Sequence, residues 1–457
     1  MRLDRVFVAN RGEIALRIIR ACHEKGLEAV LGASQPDLES LPARTADRTV
    51  CIGPGKPADS YLNKAAIMAA AVKSGCDALH PGYGFLAEQP ELAAMCDEAG
   101  LAFVGPTADT IRAMGDKISA LGHARACEIP TLGGGEAVTT SVRAEEMASQ
   151  LGLPVIVKAA AGGGGRGIRI VWTIPELGEA LTTAAREAQS AFGNPTLYIE
   201  RYITKARHIE VQLLGDSDGN VVHLGDRDCS VQRRHQKVVE EAPAYGLDAA
   251  LREGMSAAAL ALGRHLSYRS AGTVEFVVEP SAQRFYFLEM NTRIQVEHPV
   301  TEAVTGIDVV KAQLAIAGGE QLPFSQRDVT FTGHAIECRV TAESPTTFLP
   351  SPGRITCWEA PSAKGIRIDS HCYSGYVVPP FYDSLLAKII SSANTREEAI
   401  SLMQGALHRL RIEGIETTTT FLRQLVQDAR YLVGDIHTRW LEEEFVASER
   451  AVGSGRG

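Results

Sequence analysis

The chain has 457 residues, of which 45% are hydrophobic and 22% charged, and its formal net charge is −9. This composition is typical of a folded protein of about three domains and excludes an intrinsically disordered chain. No apolar run approaches the roughly 18 residues of a membrane-spanning helix, and the acidic balance argues against a general nucleic-acid binder. We therefore expect neither a membrane nor a nucleic acid among the partners.

The nine cysteines form no C-x-x-C pair, so the sequence indicates neither a disulfide framework nor a zinc ribbon. The first residues lack the apolar core and cleavage site of a signal peptide. We expect a cytoplasmic protein.

The first 104 residues alternate between strand-like and helix-like patterns. The strand-like patterns cover 5–9, 27–33, 77–80 and 101–104, and the helix-like patterns cover 12–25, 62–73 and 88–99. Such alternation predicts a parallel sheet covered by helices. Ligands bind at the carboxyl ends of the strands in these sheets, and the turn-rich segment 80–85 lies at one of them.

The middle of the chain changes character. Residues 130–136 (PTLGGGE) are predicted to form a hinge, and a strand at 155–158 leads through a glycine-rich turn into a strand at 168–171. Rossmann and Walker loops lead into a helix instead. Antiparallel strands are predicted at 209–213, 221–224, 273–278 and 285–289, and after about residue 329 short strands accompany one helix near 397–410.

The glycine-rich turn is the first candidate site. Lys158 ends an apolar strand, and four consecutive glycines follow at 162–165. Glycines let backbone N–H groups approach an anion closely, and a lysine adds a point charge. The alternative is a flexible loop without a ligand.

Two carboxylates and an amide form the second candidate site. Glu275 has apolar neighbours on both sides, Glu289 ends an apolar run, and Asn291 follows. Hard oxygen ligands on adjacent strands suit Mg²⁺. The alternative is that each carboxylate faces solvent.

The segment that follows, 291–299, places Arg293, Gln295 and Glu297 close together. An arginine can bind a small oxyanion through two N–H groups, and a glutamate can take a proton from it. A surface loop held by salt bridges is the alternative.

A dense cationic run occupies 226–238 in this acidic chain. It suggests an anionic ligand, although such runs are commonly solvated charge clusters. Cys229 within this run could be a nucleophile, but cysteines are more commonly buried structural residues.

Seven segments, in this order along the chain, resemble the biotin carboxylase family of ATP-grasp enzymes. They are 10–15 (NRGEIA), 80–85 (HPGYGF), 114–117 (MGDK), the glycine loop, 227–237 (RDCSVQRRHQK), 289–299 (EMNTRIQVEHP) and 348–353 (FLPSPG). The resemblance runs from about residue 3 to residue 445. It implies an α/β and α+β multidomain ATP-grasp fold with an N-terminal Rossmann-like parallel sheet domain, a mobile lid and an antiparallel C-terminal domain.

The resemblance also implies domain limits. The N-terminal domain would cover 1–115, the ATP-grasp domain 116–328 with a lid at about 131–203, and the C-terminal domain 329–446. Residues 447–457 are expected to be a disordered tail.

In the reaction that the resemblance implies, MgATP phosphorylates bicarbonate to carboxyphosphate, and the carboxyl group passes to N1′ of biotin. The positions that would bind ATP are Lys117, Lys158, Gly163, Gly164, Gly165, Glu200, Arg201, Tyr202, Ile203, His208, Gln232, His235, Glu275 and Glu289. The positions that would hold Mg²⁺, or Mn²⁺, are Glu275, Glu289 and Asn291. The positions that would bind bicarbonate or biotin are Tyr83, Lys237, Arg293, Gln295, Val296, Arg339 and Asp383.

The implied catalytic residues are Lys237, Arg293, Glu297 and Arg339. Glu297 would deprotonate bicarbonate, and Arg339 would stabilise the biotin enolate. Neither role is needed by the alternative enzyme class, an ATP-grasp ligase that joins a carboxylate to an amine through an acyl phosphate. A non-catalytic nucleotide-binding regulatory subunit is the third hypothesis, and intact candidate base and metal ligands argue against it.

The expected partners follow from what the chain lacks. It contains no Met-Lys-Met biotinylation motif, so we expect the biotin on a separate biotin carboxyl carrier protein, with carboxyltransferase subunits as further partners. The resemblance also implies a homodimer. Acetyl-CoA carboxylase is the commonest such assembly, but propionyl-CoA, pyruvate, 2-oxoglutarate and urea systems share this half-reaction.

Overall fold

The computed structural model of the chain describes residues 2–161 and 167–446. The predicted phosphate-binding glycines, Gly163, Gly164 and Gly165, and the predicted tail 447–457 lie outside the described residues.

A five-stranded parallel sheet forms the N-terminal part. Its elements are β1 Arg5–Val8, α1 Gly12–Glu24, β2 Glu28–Ser34, α2 Leu41–Thr45, β3 Arg48–Gly53, α3 Lys64–Lys73, β4 Ala78–His80, α4 Pro90–Glu98, β5 Ala102–Phe103 and α5 Ala108–Gly115. The strand order is β3-β2-β1-β4-β5, and every pair is parallel. Helix α1 buries Ile14, Ile18 and Ile19 against this sheet, as its apolar spacing requires. The predicted parallel sheet is confirmed, whereas β3, α2 and α5 were not predicted.

A small three-stranded sheet follows. Its part of the chain contains α6 Lys117–Ala126, α7 Ser141–Leu151, β6 Val155–Ala159, β7 Arg169–Val171, α8 Leu177–Phe192 and β8 Leu197–Arg201. The order β7-β6-β8 is antiparallel, and the strands predicted at 155–158 and 168–171 are present. Helices α7 and α8 were not predicted, and they cover an apolar cluster that includes Val155, Val157 and Ile199.

The rest of the chain surrounds one large sheet. Its elements are β9 Arg207–Gly215, β10 Val221–Arg233, β11 Gln236–Ala242, α9 Ala249–His265, β12 Ser270–Glu279, β13 Arg284–Asn291, α10 His298–Thr305, α11 Val309–Ala317, β14 His334–Thr341, β15 Gly353–Arg354, β16 Cys357–Glu359, β17 Ile366–Ser370, β18 Val377–Val378, β19 Leu385–Ala393, α12 Arg396–Arg409, β20 Arg411–Glu413, α13 Thr419–Leu425 and α14 Ala429–Val433.

Eight of these strands pair in the order β13-β12-β9-β10-β11-β14-β19-β17, all antiparallel. The predicted antiparallel strands and the helix near 397–410 are confirmed. The pairing of β11 with β14 places strands from both sides of residue 328 in a single sheet. Within the described residues, no helix combines the length and apolar character needed to cross a bilayer.

Candidate active site

A cavity of about 920 Å³ lies where the five-stranded, three-stranded and eight-stranded sheets meet. Its wall contains the predicted site residues Tyr83, Lys117, Lys158, Arg201, Tyr202, Ile203, His208, Gln232, His235, Lys237, Glu275, Glu289, Asn291, Arg293, Gln295, Val296, Glu297, Arg339 and Asp383. Glu200 stands behind the wall, with its Oε2 2.5 Å from Lys158 Nζ. The structure therefore gathers every predicted site residue that it describes, while their individual roles stay predictions.

The register of the large sheet sets up a row of charges. Glu289 on β13 opposes Glu275 on β12, Glu275 opposes Glu210 on β9, and Glu210 opposes Arg227 on β10. Directly opposed residues of an antiparallel pair project from the same face. The two carboxylates predicted to bind Mg²⁺ thus share a face with Glu210, which the sequence analysis missed.

Lys237, near the start of β11, reaches into this row. Its Nζ donates to Glu297 Oε1 at 2.7 Å, to Glu210 Oε2 at 2.6 Å and to Glu275 Oε1 at 2.9 Å. Burial lowers the pKa of this ammonium, but the three carboxylates outweigh burial and hold the pKa well above its ordinary value. Lys237 is a permanent cation in the centre of the cluster.

Glu297 immediately precedes α10 and is buried. Its Oε2 accepts a hydrogen bond from Arg339 Nη2 at 2.9 Å, while Lys237 binds Oε1. Burial raises the pKa of this carboxyl, but Lys237 and Arg339 outweigh it and hold the pKa well below the ordinary value. Glu297 is therefore ionised, as a base must be, and it becomes more basic when one of these cations turns to another anion.

Arg339 lies on β14 and contacts a second carboxylate. Its Nε donates to Glu240 Oε1 at 2.6 Å, and Nη2 also contacts that oxygen. Burial raises the pKa of Glu240 to about 7, with Arg339 opposing the rise. Glu240 was not predicted from the sequence.

Arg293 connects the cluster to the N-terminal part. Its Nε donates to Glu88 Oε2 at 3.0 Å, and its Nη2 donates to Asn291 Oδ1 at 3.0 Å. Burial lowers the pKa of Arg293, but Glu88 outweighs it and the pKa is raised. A second carboxylate that the sequence analysis missed thus orients the predicted oxyanion-binding arginine.

Two other lysines of the cavity wall make simpler ion pairs. Lys117 Nζ lies 3.0 Å from Glu289 Oε2, and Lys158 Nζ lies 2.5 Å from Glu200 Oε2. Each lysine has one carboxylate partner among the described residues, in contrast to the three around Lys237. A phosphate group can replace a single carboxylate on a lysine more readily than it can break a network.

The residues predicted to hold a metal fit a hard divalent cation. Glu275 and Glu289 face each other on paired strands, and Asn291, two residues beyond Glu289, donates to Glu275 Oε1 at 2.8 Å. This is an oxygen donor set of the kind that Mg²⁺ and Mn²⁺ prefer. The described residues also bring ligand atoms of His208, Glu210 and Glu275 within 4.8 Å of one another, but the ammonium that bridges those two carboxylates opposes a cation there.

The first residues of the cationic run at 226–238 are buried and bond to other protein side chains rather than to a ligand. Arg227 is fully buried and donates five hydrogen bonds, among them Nε to Glu210 Oε1 at 2.5 Å and Nη2 to Gln295 Oε1 at 2.8 Å. The expectation of an anionic ligand therefore does not extend to Arg227. Cys229 is fully buried, and burial raises the pKa of its thiol well above the ordinary value, which matches the structural reading rather than a nucleophile.

Lys388 on β19 joins three parts of the chain beneath the site. Its fully buried Nζ donates to the backbone oxygen of Val296 at 2.9 Å, and it lies 3.2 Å from Glu13 Oε1 and 3.7 Å from Asp369 Oδ2. The Tyr83 hydroxyl donates a hydrogen bond to Glu13 Oε1. The backbone beside Glu297 is thereby fixed to both the N-terminal and the C-terminal parts.

Comparison with known proteins agrees with this geometry. The N-terminal domain model of biotin carboxylase matches residues 2–111, the ATP-binding domain model of the carbamoyl-phosphate synthase L chain matches 116–325, and the C-terminal domain model of biotin carboxylase matches 337–443. A biotin carboxylase of Pseudomonas aeruginosa is 50% identical over 97% of this chain and 98% of its own length. The chain belongs to the biotin carboxylase family.

Solved structures of the biotin carboxylase family share the fold. The Campylobacter jejuni biotin carboxylase in a β,γ-ATP complex has a TM-score of 0.94 and 43% identity, over 96% of this chain and 98% of its own. The biotin carboxylase domain dimer of Hydrogenobacter thermophilus 2-oxoglutarate carboxylase, in complex with MgADP, ADP and bicarbonate, has a TM-score of 0.93 and 43% identity, over 97% and 98%. The predicted ATP-grasp fold is confirmed.

The missed residues differ in how much signal they carry. Glu210 stands two residues after His208 on a strand and so shares its face, a spacing that could have identified it. Glu88, Glu240 and Lys388 become neighbours of the site only through long-range packing.

Proposed function

We propose that the protein catalyses the MgATP-dependent carboxylation of biotin by bicarbonate through carboxyphosphate. The observation that carries this proposal is the position of Glu297, whose two carboxylate oxygens lie between Lys237 and Arg339 in the cavity. A base between two fixed cations suits the deprotonation of a small anion. A general carboxylate–amine ligase would need neither this base nor the second cation.

In the first step Lys237, Arg293 and Gln295 bind bicarbonate. Gln295 is pre-oriented, because it accepts from Arg227 and donates to Glu275 Oε1 at 2.8 Å. As Lys237 turns toward the bound anion, the pKa of Glu297 rises toward its ordinary value, and Glu297 takes the bicarbonate proton. The bicarbonate oxygen then bonds to the γ-phosphorus, and ADP departs with the electrons of the broken bond.

The nucleotide lies beside Lys117 and Lys158 in the cavity. Lys117 and Lys158 exchange their carboxylate partners for phosphate oxygens, and His235 contributes a further donor at the wall. Glu275, Glu289 and Asn291 would hold Mg²⁺, which neutralises phosphate charge and aligns the reacting oxygens. Positioning and charge neutralisation supply most of the catalysis in phosphoryl transfer.

In the second step the carboxyl group of carboxyphosphate passes to N1′ of biotin, and inorganic phosphate leaves. The departing phosphate takes the N1′ proton, and Arg339 stabilises the negative charge that then develops on the ureido oxygen. Tyr83 and Asp383 line the same side of the cavity and contact the biotin ring. Carboxyphosphate is labile in water, so the site must be closed during this step.

The proposed organisation keeps an N-terminal domain at 1–115, an ATP-grasp domain at 116–328, with about 131–203 as its mobile lid, and a C-terminal domain at 329–446. In support, the sheet β7-β6-β8 and helices α7 and α8 form an apolar cluster of their own. A separately packed unit can move as a rigid body over bound nucleotide.

We further propose a homodimer that works in the cytoplasm with a biotin carboxyl carrier protein and carboxyltransferase subunits. The dimeric 2-oxoglutarate carboxylase domain supports the dimer. A Methanothermobacter thermautotrophicus relative, named as one subunit of pyruvate carboxylase, supports a multisubunit assembly. Co-purification with the carrier protein would identify the final carboxyl acceptor.

The test of the catalytic proposal is ATP hydrolysis by the purified chain, measured as phosphate release. The expected result is a rate that requires bicarbonate and increases on addition of free biotin. A hydrolysis rate that depends on neither bicarbonate nor biotin, or that increases only with another carboxylate and an amine, would overturn the proposal.

A further inference from the structure

Arg339 makes an asymmetric set of contacts. Nε and Nη2 contact Glu240, Nη2 also contacts Glu297, and among the described residues Nη1 has no hydrogen-bond partner. Arg339 lines the cavity. The two carboxylates thus hold one edge of the guanidinium and leave the Nη1 protons for a ligand.

The two carboxylates differ in what the reaction does to them. Under the proposed function, Glu297 takes a proton from bicarbonate and becomes neutral, so its ion pair with Arg339 ends before biotin reacts. Arg339 then loses the Coulomb attraction of one of its two anionic partners. Protonation of Glu297 also removes a negative charge that raises the pKa of Glu240, so Glu240 is then the carboxylate that holds Arg339 in its ionised form.

Glu240 is well built for this task. It lies on the central strand β11, is fully buried, and has Arg339 as its hydrogen-bond partner among the described residues. A side chain on a sheet strand is positioned more accurately than one on a loop. Glu240 Oε2 has no hydrogen-bond partner among the described residues. Arg339 is therefore the side chain that Glu240 binds.

We propose that Glu240 is a positioning residue, which keeps the Arg339 guanidinium aligned with the biotin oxyanion after Glu297 has been protonated. This inference rests on the proposed function and extends it to the second half of the reaction. Glu240 touches neither substrate, so its effect is confined to the step in which Arg339 stabilises charge.

The test compares two rates in Glu240→Gln, which keeps the shape of the side chain and removes its charge. Biotin carboxylation is expected to fall about tenfold or more, because small displacements of an oriented group cost up to 10²-fold. The loss is expected in kcat rather than in the KM for biotin, because the interaction forms only in the transition state. Bicarbonate-dependent ATP hydrolysis without biotin is expected to fall much less.

Glu337→Gln is the matched control. Glu337 on β14 directly opposes Glu240 and is equally buried, and within the described residues its carboxylate oxygens have no hydrogen-bond partner. The same substitution there should leave the ratio of the two rates unchanged. If both activities of Glu240→Gln fall by the same factor, or if Glu337→Gln shifts the ratio equally, the role is only structural and the inference fails.

The wild-type protein distinguishes this failure from failure of the proposed function, because biotin-stimulated hydrolysis by the wild type tests that function alone. If Glu240→Gln does not fold, Glu240→Asp serves instead. Aspartate keeps the charge, but its side chain is one methylene shorter, so the carboxylate lies farther from Arg339. The ratio of biotin carboxylation to biotin-independent ATP hydrolysis should therefore fall, and an unchanged ratio would overturn the inference.

Discussion

Strand β11 carries two buried glutamates whose side chains leave on opposite faces of the sheet, Glu240 toward the cavity and Glu241 toward the C-terminal helices. Glu241 accepts from Arg396 Nε at 2.7 Å and Nη2 at 2.9 Å, and from His334 Nε2 at 2.8 Å. Burial raises its pKa, but these partners outweigh burial and lower the pKa to about 2. Within residues 2–161 and 167–446, one oxygen of Glu240 has no hydrogen-bond partner, and burial raises the pKa of Glu240 to about 7.

The contrast shows how one strand serves stability on one face and chemistry on the other. The core-facing carboxylate has its hydrogen-bonding capacity satisfied, and Arg396 uses its remaining N–H groups on the backbone oxygens of Tyr431 and Leu432. On the other face Glu240 holds Arg339, and Arg339 keeps donor capacity for a ligand in the cavity, which lowers local stability.

Glu297→Gln tests the cavity face most severely. An amide cannot take the bicarbonate proton, so bicarbonate-dependent ATP hydrolysis should fall by about 10³-fold, within the usual range for loss of a general base. Phosphate release measures this effect, and ATP affinity, measured by calorimetry, should stay nearly intact. Unchanged turnover would contradict the assignment of Glu297 as the base.

Glu241→Gln tests the core face. Removing this charge leaves the Arg396 guanidinium buried without its counter-ion, which should lower the free energy of unfolding by about 3 kcal/mol. Denaturant titration measures the loss. The folded variant should keep its rate of biotin carboxylation. A loss of activity without a loss of stability would contradict the assignment of Glu241 to stability.

The same carboxylate predicts how stability depends on pH. Because its folded pKa of about 2 lies below the ordinary value of 4.5, its stabilising contribution is fully present above pH 4.5. That contribution is lost as the pH falls from about 4.5 through 2. Denaturant midpoints across this range should fall less steeply in Glu241→Gln than in the wild type, and parallel curves would refute the prediction.

Lys158→Gln gives the smallest expected effect, because Lys158 belongs to a single ion pair. The KM for ATP should rise by about tenfold to a hundredfold through loss of one phosphate contact. The double variant with Glu200→Gln removes the unpaired buried carboxylate and should recover stability without recovering ATP affinity. Arg143 is a partly exposed cation in the same part of the chain and does not line the cavity. Arg143→Gln should therefore leave the KM for ATP unchanged.

The site could be predicted from short segments of the sequence in which several functional side chains occur together. Lys237 and Glu297 each stand in such a segment, and the cavity brings them together with Arg339. Glu240 was missed because its importance depends on the pairing of β11 with β14, about 100 residues apart in sequence. Strand alternation predicts which residues share a face but not which strands are neighbours.

The parallel N-terminal sheet was predictable for a related reason. Its strands and helices alternate locally, so a period of two and a period of 3.6 can be read directly from segments such as 12–25. Helix α7 was missed because its buried face consists largely of alanines, which give a weak hydrophobic signal. Helix α8 combines Leu177, Leu181 and Phe192 with its buried alanines at helical spacing, so its sequence does carry a signal that could have identified it. Long-range register and alanine-rich packing therefore mark the limit of inference from the sequence.

Lys388 has a consequence for how the molecule unfolds. Its ammonium is surrounded by Val296, Glu13 and Asp369 from three distant segments, and separating any of them would leave a charge stranded in the interior. These segments should therefore open together as one cooperative unit, so that amide protons of α1, β17 and β19 share a common, slow exchange rate with deuterium.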